Sequence, residues 1–348
     1  MGTGDILRQL FEGYARHSDA EMRAAAEALI RDERAKNHRL LADDLERILL
    51  SSSSLPSDRR PPSRFDVPRD RDSGFPLLDI SYPRDGWERL VVSARTQQAL
   101  EQIAREHSRR ALLATAGLAP KQRVLFYGPP GCGKTLAARV VAGVLGFPLA
   151  LVRFDAVVSS LLGATAGNLR RIFDFLATDR WVILFDEFDA IGKERDNPFE
   201  HGELKRLVNS LLQLMDSFRG ESLLIAATNH ESLLDAAIWR RFEAAIPFTA
   251  PTEAQRLVLL RHFLRSFDSS GVNLAALSKR LRDATGADIE WITIEAARYA
   301  VLDHRVAILQ GDLALALASY RDRKTVQRRA ETHNPEPVEA GPDEPDGP

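Results

Sequence analysis

Residues 124–135 read VLFYGPPGCGKT, and the fold of the whole chain turns on this stretch. An apolar run leads into a glycine-rich turn, and the turn leads into a helical pattern, TLAARVVAGVL. The spacing is G-x-x-x-x-G-K-[ST], a phosphate-cradling loop between a strand and a helix. Gly128, Gly131 and Gly133 permit tight turns, so that successive N–H groups can point at phosphate oxygens. A helix opening near Lys134 adds its positive dipole end at the same place. Lys134 carries the charge that β- and γ-phosphates need, and the Thr135 hydroxyl is a ligand for Mg²⁺. Cys132 stands at a variable position and reads as a small spacer rather than a nucleophile. With Pro129, Pro130 and Leu136, the loop from Gly128 to Leu136 is the candidate nucleotide-binding segment.

Further apolar runs follow at Leu149–Phe154, Trp181–Phe185 and Leu223–Ala227, with Ala244–Phe248 a candidate fifth strand. Stretches of helical length, including Thr135–Leu145 and Ala166–Ala177, separate most of them. That alternation predicts an α/β fold, a P-loop parallel sheet over residues 86–250. Residues 251–325 lose the strand signal and read as a small helical second domain, with breaks near Ser269–Gly271 and Thr285–Gly286.

Two of the runs end in chemistry. WVILFDE, residues 181–187, is a buried-strand pattern that stops on two carboxylates. In a parallel sheet such an end lies at the edge where ligands collect. Asp186 is placed to hold Mg²⁺ through its coordinated water, and Glu187 to polarise the attacking water. LLIAATN, residues 223–229, ends in an amide, Asn229, able to orient that same water from the neighbouring strand. Arg240 and Arg241 follow in WRRF. A surface salt-bridge pair is the ordinary fate of such a dipeptide. The alternative, favoured because the distance from Asn229 fits a known pattern, is a pair of arginine fingers reaching the γ-phosphate bound by an adjacent subunit.

The flanks carry no chemistry. Residues 1–50 read as helical, with apolar stripes at Leu7, Leu10, Phe11 and Tyr14 and at Leu40, Leu41, Leu45, Ile48 and Leu49. Between them lies a charged, Ala-rich middle, and the whole suits a structural or partner-binding role. Residues 51–76, SSSSLPSDRRPPSRFDVPRDRDSGFP, read as a flexible linker, and residues 326–348 as a disordered tail. Composition is that of a soluble globular protein, 44% apolar and 28% charged, with a net charge of −2. There is no global basic field asking for nucleic acid or an anionic membrane. No apolar window of membrane length and no signal-peptide run occurs, so a cytoplasmic chain is expected. The single cysteine excludes an intramolecular disulfide and a cysteine-cluster metal site. The eight histidines are scattered.

The ordered set GPPGCGKT, VILFDEFDAI, LLIAATN, AIWRRF and TGADI, spanning roughly residues 86–320, resembles the AAA family of ATPases in its narrower sense. The similarity around LFDEFDAIGKER and AATNHESLLDAAIWRRF is to short, single-module bacterial members. The resemblance implies ATP/ADP and Mg²⁺ as cofactors, a helical lid over the α/β subdomain, and a homo-oligomeric ring, usually a hexamer. It makes Lys134 and Thr135 the phosphate-loop pair, Asp186 and Glu187 the metal and water carboxylates, and Asn229 the first sensor. Arg240 and Arg241 match the trans-acting fingers, contiguous here where many relatives separate them by two residues. Gly286 and Ala287 match the lid segment near the nucleotide. Ala287 stands where more distant relatives carry a second sensor arginine.

Two departures bear on function. Ser160-Leu-Leu-Gly163 aligns with the first pore loop, and Leu161 replaces the aromatic often found there; Ala164 and Ala166 replace acidic residues. Arg153 stands where many relatives place a polar amide that restrains the catalytic glutamate. The family commonly converts ATP hydrolysis into work on protein substrates, so remodelling or partial unfolding of a protein partner is the expected role. A nucleotide-controlled assembly switch or scaffold is the alternative. A DNA-associated motor is a weaker third, since no DNA-binding domain is recognisable. Some similar bacterial members are encoded beside subtilisin-like proteases, which makes such a protease a candidate partner.

Overall fold

The computed structural model describes residues 19–36, 67–71, 73–158, 164–188, 198–231, 234 and 236–332. The chain divides into two units, Met1–Val67 and Pro68–Pro348. In the first, the charged, Ala-rich middle of the N-terminal region forms helix α1 (Asp19–Ala35). Ala, Glu and Arg are strong helix formers, and Ala25 and Ile30 are buried. The two apolar stripes expected on either side of it lie outside the described residues.

The second unit is built on a six-stranded sheet: β1 (Leu78–Ser81), β2 (Arg123–Tyr127), β3 (Leu149–Val152), β4 (Val182–Phe185), β5 (Leu223–Thr228) and β6 (Ala244–Pro247). The order across the sheet is β1-β3-β4-β5-β2-β6. β2 to β6 run parallel, and β1 joins β3 antiparallel. Every residue of β4 and β5 is buried, the pattern of central strands covered on both faces. Strand alternation sends Val182 and Leu184 into one core cluster. Helices α2 (Ala94–Ser108) and α4 (Lys134–Leu145) cover that face through Leu100, Ile103, Val140 and Val141. Phe185 points the other way, its ring 6.1 Å from Phe173 of α6 (Ala164–Leu176). Phe173 in turn meets Phe218 at 5.8 Å, just beyond α7 (Pro198–Ser217). Truncating a fully buried strand residue such as Leu184 to Ala would cost about 2–5 kcal/mol. Three short helices complete this part: α3 (Arg110–Thr115), α5 (Phe154–Val158) and α8 (Ala236–Trp239).

Three boundaries differ from the sequence reading. The sheet begins at Leu78, ahead of residue 86, because Pro76 and Pro83 bracket the four-residue β1 and hide its pattern. Residues 68–71 and 73–76, read as the end of a linker, are instead tied by hydrogen bonds. Leu77 N–H donates to Pro68 O at 2.9 Å, and Asp70, only 2% exposed, accepts from Ser73 N–H and from the Asn168 amide of α6. A buried carboxylate with such partners is fixed, not solvated. At the other end the last helix continues to Thr332, past residue 326, because KTVQRRAET contains no Pro or Gly to stop it.

The helical domain comprises α9 (Glu253–Phe263), α10 (Leu274–Arg280), α11 (Gly286–Leu302) and α12 (Gln310–Thr332), closed around Leu260, Leu277, Ile289, Ile292 and Leu317. Three of its helices start on side-chain caps. Thr252 with Gln255 and Thr285 with Asp288 make full capping boxes, and Asn273 caps α10. The buried Arg256 guanidinium donates to the carbonyls of Ser278 and Arg282 around the end of α10 and to that of Pro251 just ahead of α9.

Candidate nucleotide site

β5 lies between β2 and β4, and all three run parallel, so their C-terminal ends open on one edge. The glycine-rich loop leaves β2 there, Asp186 and Glu187 leave β4, and Asn229 leaves β5. Topology alone thus gathers three runs that are far apart in the chain.

Gly128 has φ +132°, and a Cβ on it would stand 1.9 Å from the Phe248 carbonyl oxygen. Only glycine fits. Gly133, also at positive φ, is the N-cap from which α4 begins at Lys134. The Lys134 ammonium is buried within the loop, donating to Gly128 O at 2.7 Å and Pro129 O at 2.9 Å. Thr135 Oγ1 donates to Asp186 Oδ2 at 2.6 Å, joining the ends of two elements. The other oxygen of Asp186 accepts the Glu187 N–H at 3.0 Å. Glu187 itself is exposed and has φ +51°. A non-glycine residue held there stores roughly 1–3 kcal/mol of strain, a cost concentrated at functional sites.

These groups line one cleft of about 440 Å³, the size of a small-molecule site. Pro130 to Leu136, Asp186, Glu187, Asn229, Gly286 and Ala287 all line it, so these residues singled out in the sequence share one cleft. Gly128 and Pro129 do not line it; their carbonyls hold the Lys134 ammonium. Burial pushes the Cys132 thiol up, Lys134 notwithstanding, which opposes a reactive thiolate. The helical domain closes directly on the loop: Ala287 N–H donates to Gly131 O at 3.1 Å, and a Cβ on Gly131 would meet Thr285 Oγ1 at 2.7 Å.

The chain is 35% identical over 336 residues to the uncharacterized AAA family ATPase y4kL of Sinorhizobium fredii, covering 94% of this chain and 98% of that protein. The family model for the ATPase family associated with various cellular activities (AAA) matches residues 124–250. The chain belongs to the AAA family of ATPases. It is a nucleotide-binding enzyme that hydrolyses ATP. The proteasome-activating nucleotidase of Thermococcus kodakarensis is 35% identical over 213 residues, 59% of this chain and 54% of that one. That of Thermococcus onnurineus is 33% identical over 254 residues, 70% of this chain and 63% of its own. The chain therefore spans little more than half the length of these nucleotidases. Among the described residues no helix is long and apolar enough to cross a membrane.

The AAA cleft has a second end that sequence reasoning missed. Arg89, Leu90, Val91 and Val92 form one wall, and Gln255, Leu259, His262 and Phe263 of α9 form the other. Burial, then the nearby Arg265 and Arg89 cations, holds the His262 imidazole below its ordinary pKa. Nothing in the sequence flags this wall. Val258 of α9 is exposed while Arg256 is buried, so the helix shows no apolar face to read.

The two arginines do not line the cleft. Arg241 is half-buried and tied to Asp216 at 2.9 Å. Asp216 also takes Arg123 at 3.2 Å, and Arg123 reaches Glu243 at 2.8 Å. Arg240, one residue earlier, is exposed and makes no ion pair among the described residues. Arg153 is likewise engaged away from Glu187, bonded to Asp155 at 2.6 Å. Leu161 and the rest of the expected pore loop lie outside the described residues.

Proposed function

We propose that this AAA ATPase binds Mg·ATP in the cleft, hydrolyses it with help from a neighbouring copy, and uses the cycle to remodel a protein partner. The observation that carries the proposal is the Thr135–Asp186 bond, which brings a hydroxyl and a carboxylate together at the mouth of the glycine loop. The glycine cradle, where a Cβ would collide, and the ammonium held inside it suit a polyphosphate. Thr135 and Asp186 would hold the magnesium ion, which neutralises charge on the phosphates when bound. Lys134 takes the β- and γ-phosphate oxygens. Glu187 accepts a proton from water as that water attacks the γ-phosphorus, and Asn229 orients it. The bond to the β–γ bridging oxygen breaks, leaving ADP and phosphate. The adenine lies at the far end of the cleft, between Leu90–Val92 and the Leu259, His262 and Phe263 side chains.

Of the two arginines, Arg240 is the finger that reaches the neighbour's γ-phosphate, and Arg241 positions it through Asp216. Arg240 is free to cross an interface, whereas Arg241 would first have to surrender its own ion pair. A protein partner is supported by the likeness to nucleotidases that are named for activating a proteasome.

Mixing variants tests the shared site. Arg240→Ala and Glu187→Gln chains should each be inactive alone and regain measurable hydrolysis when mixed. A mixture as inactive as its parents, or a fully active monomer, would overturn the shared site. Coupling to remodelling is read separately, as ATP-dependent unfolding of a captured partner. A partner that binds in ATP and is released unaltered would leave an assembly switch instead.

A further inference from the structure

The helical domain carries a second cleft, about 390 Å³, between the end of α10 and the outer face of α12. Arg280, Arg282, Arg321 and Lys324 line it against one acid, Asp283. Its apolar floor, Leu281, Ala284 and Leu317, belongs to the domain core, so the positions from which the cations project are fixed. Lys324 has a partial partner in Asp288 at 3.5 Å. The three arginines are exposed and make no ion pair among the described residues. Three other arginines of the domain are spoken for, Arg305 bonded to Asp312, Arg298 to Glu295 and Arg256 to carbonyls, while Arg261 and Arg265 stand outside this cleft. Three unneutralised guanidinium groups converging on one concavity form a site for carboxylates, which match the planar fork of arginine.

We propose that this cleft takes the chain's own C-terminal tail, residues 333–348. The tail reads HNPEPVEAGPDEPDGP, with carboxylates at Glu336, Glu339, Asp343, Glu344 and Asp346 and no Lys or Arg. It leaves the very helix that forms one wall. From Thr325 in the wall to Thr332 at the end of α12 is about 10 Å of helix, at ~1.5 Å per residue. The tail could span up to about 50 Å at ~3.3 Å per residue, several times what the return needs. Covalent attachment gives its carboxylates a local concentration on the order of millimolar, enough to make weak, exposed ion pairs count. The site thus screens the cations of the lid and would favour acidic peptide over any neutral segment.

Zero-length carbodiimide coupling on the full-length chain tests this, because Lys324 is the amine inside the cleft. At low salt, peptide mapping should find Lys324 joined to tail carboxylates, with the Lys324–Asp288 link as an internal reference. Replacing Arg280, Arg282 and Arg321 together by Ala should cut the tail link at least about tenfold while the Asp288 link and the melting temperature persist. Salt at ~1 M, where the Debye length falls to ~3 Å, should do the same. A tail link that survives the triple replacement would overturn the proposal, as would tail coupling to Lys121 of the α/β part as readily as to Lys324. Displacement of the tail by an oligonucleotide but not by an acidic peptide would reassign the cleft to phosphates.

Discussion

The two ends of the nucleotide cleft are built on different principles. At the phosphate end, a loop and two strand termini are fixed by a buried parallel sheet, and the Thr135–Asp186 bond fastens them together. At the base end, residues 89–92 face α9 of the lid, and the apolar surfaces of two subdomains make the wall. The first arrangement demands particular residue types at fixed spacing, because metal, phosphate and water each need a particular atom. The second demands only shape and apolar contact, which many residues supply. The proposed function therefore puts chemistry at one end and selectivity for the base at the other, and substitutions should separate the two.

The largest separation should come from Lys134→Ala. Losing the buried ammonium should lower both nucleotide affinity and turnover by at least about 10²-fold, in titration calorimetry and phosphate release alike. Near-normal affinity would mean that the phosphates bind elsewhere. Next, Arg240→Ala should lower kcat by roughly 10³ with the fold intact, the scale of an arginine finger. Arg241→Ala should instead cost about 1 kcal/mol of stability through its broken pair with Asp216, with a smaller loss of turnover. Interchanged effects would reverse the two roles. At the base end, Phe263→Ala should weaken ATP about tenfold, roughly the value of a buried aromatic contact, while leaving inorganic tripolyphosphate unaffected. Equal losses for both ligands would erase the division of the cleft.

The smallest effect concerns the lid's own hold. The Arg305 guanidinium, bonded to both oxygens of Asp312, keeps that carboxyl below its ordinary value, and Asp312 also accepts the Leu309 N–H at the start of α12. A depressed carboxylate stabilises the fold above the unfolded value of ~3.9 and loses that contribution as pH falls through the lower folded value. Asp312→Asn should therefore lower the melting temperature at pH 7 and flatten its fall in acid. An unchanged acid profile would remove this pair from the lid's stability.

How much of this was legible in the sequence follows the same division. The parallel core strands were readable because burial on both faces forces unbroken apolar runs, VILF and LLIAAT among them. Asp186, Glu187 and Asn229 were readable because each breaks such a run abruptly. β1 was not, being four residues between prolines and paired at the sheet's edge. The positive φ of Glu187 left no mark, since nothing in the letter E announces it. Leu90–Val92 and His262 were invisible for want of a spacing rule. Arg240 and Arg241 were legible as a pair but not as individuals; Asp216, far away in sequence, is what distinguishes them.

Binding and turnover measured together on Glu187→Gln test the central claim, that hydrolysis occurs at this cleft through the carboxylate of Glu187. The expected result is ATP affinity within a few-fold of the native chain and a steady-state rate lowered by roughly 10²–10³-fold, the scale of losing a catalytic base. Turnover within a few-fold of the native chain would contradict it, and the water-activating group would have to be sought elsewhere.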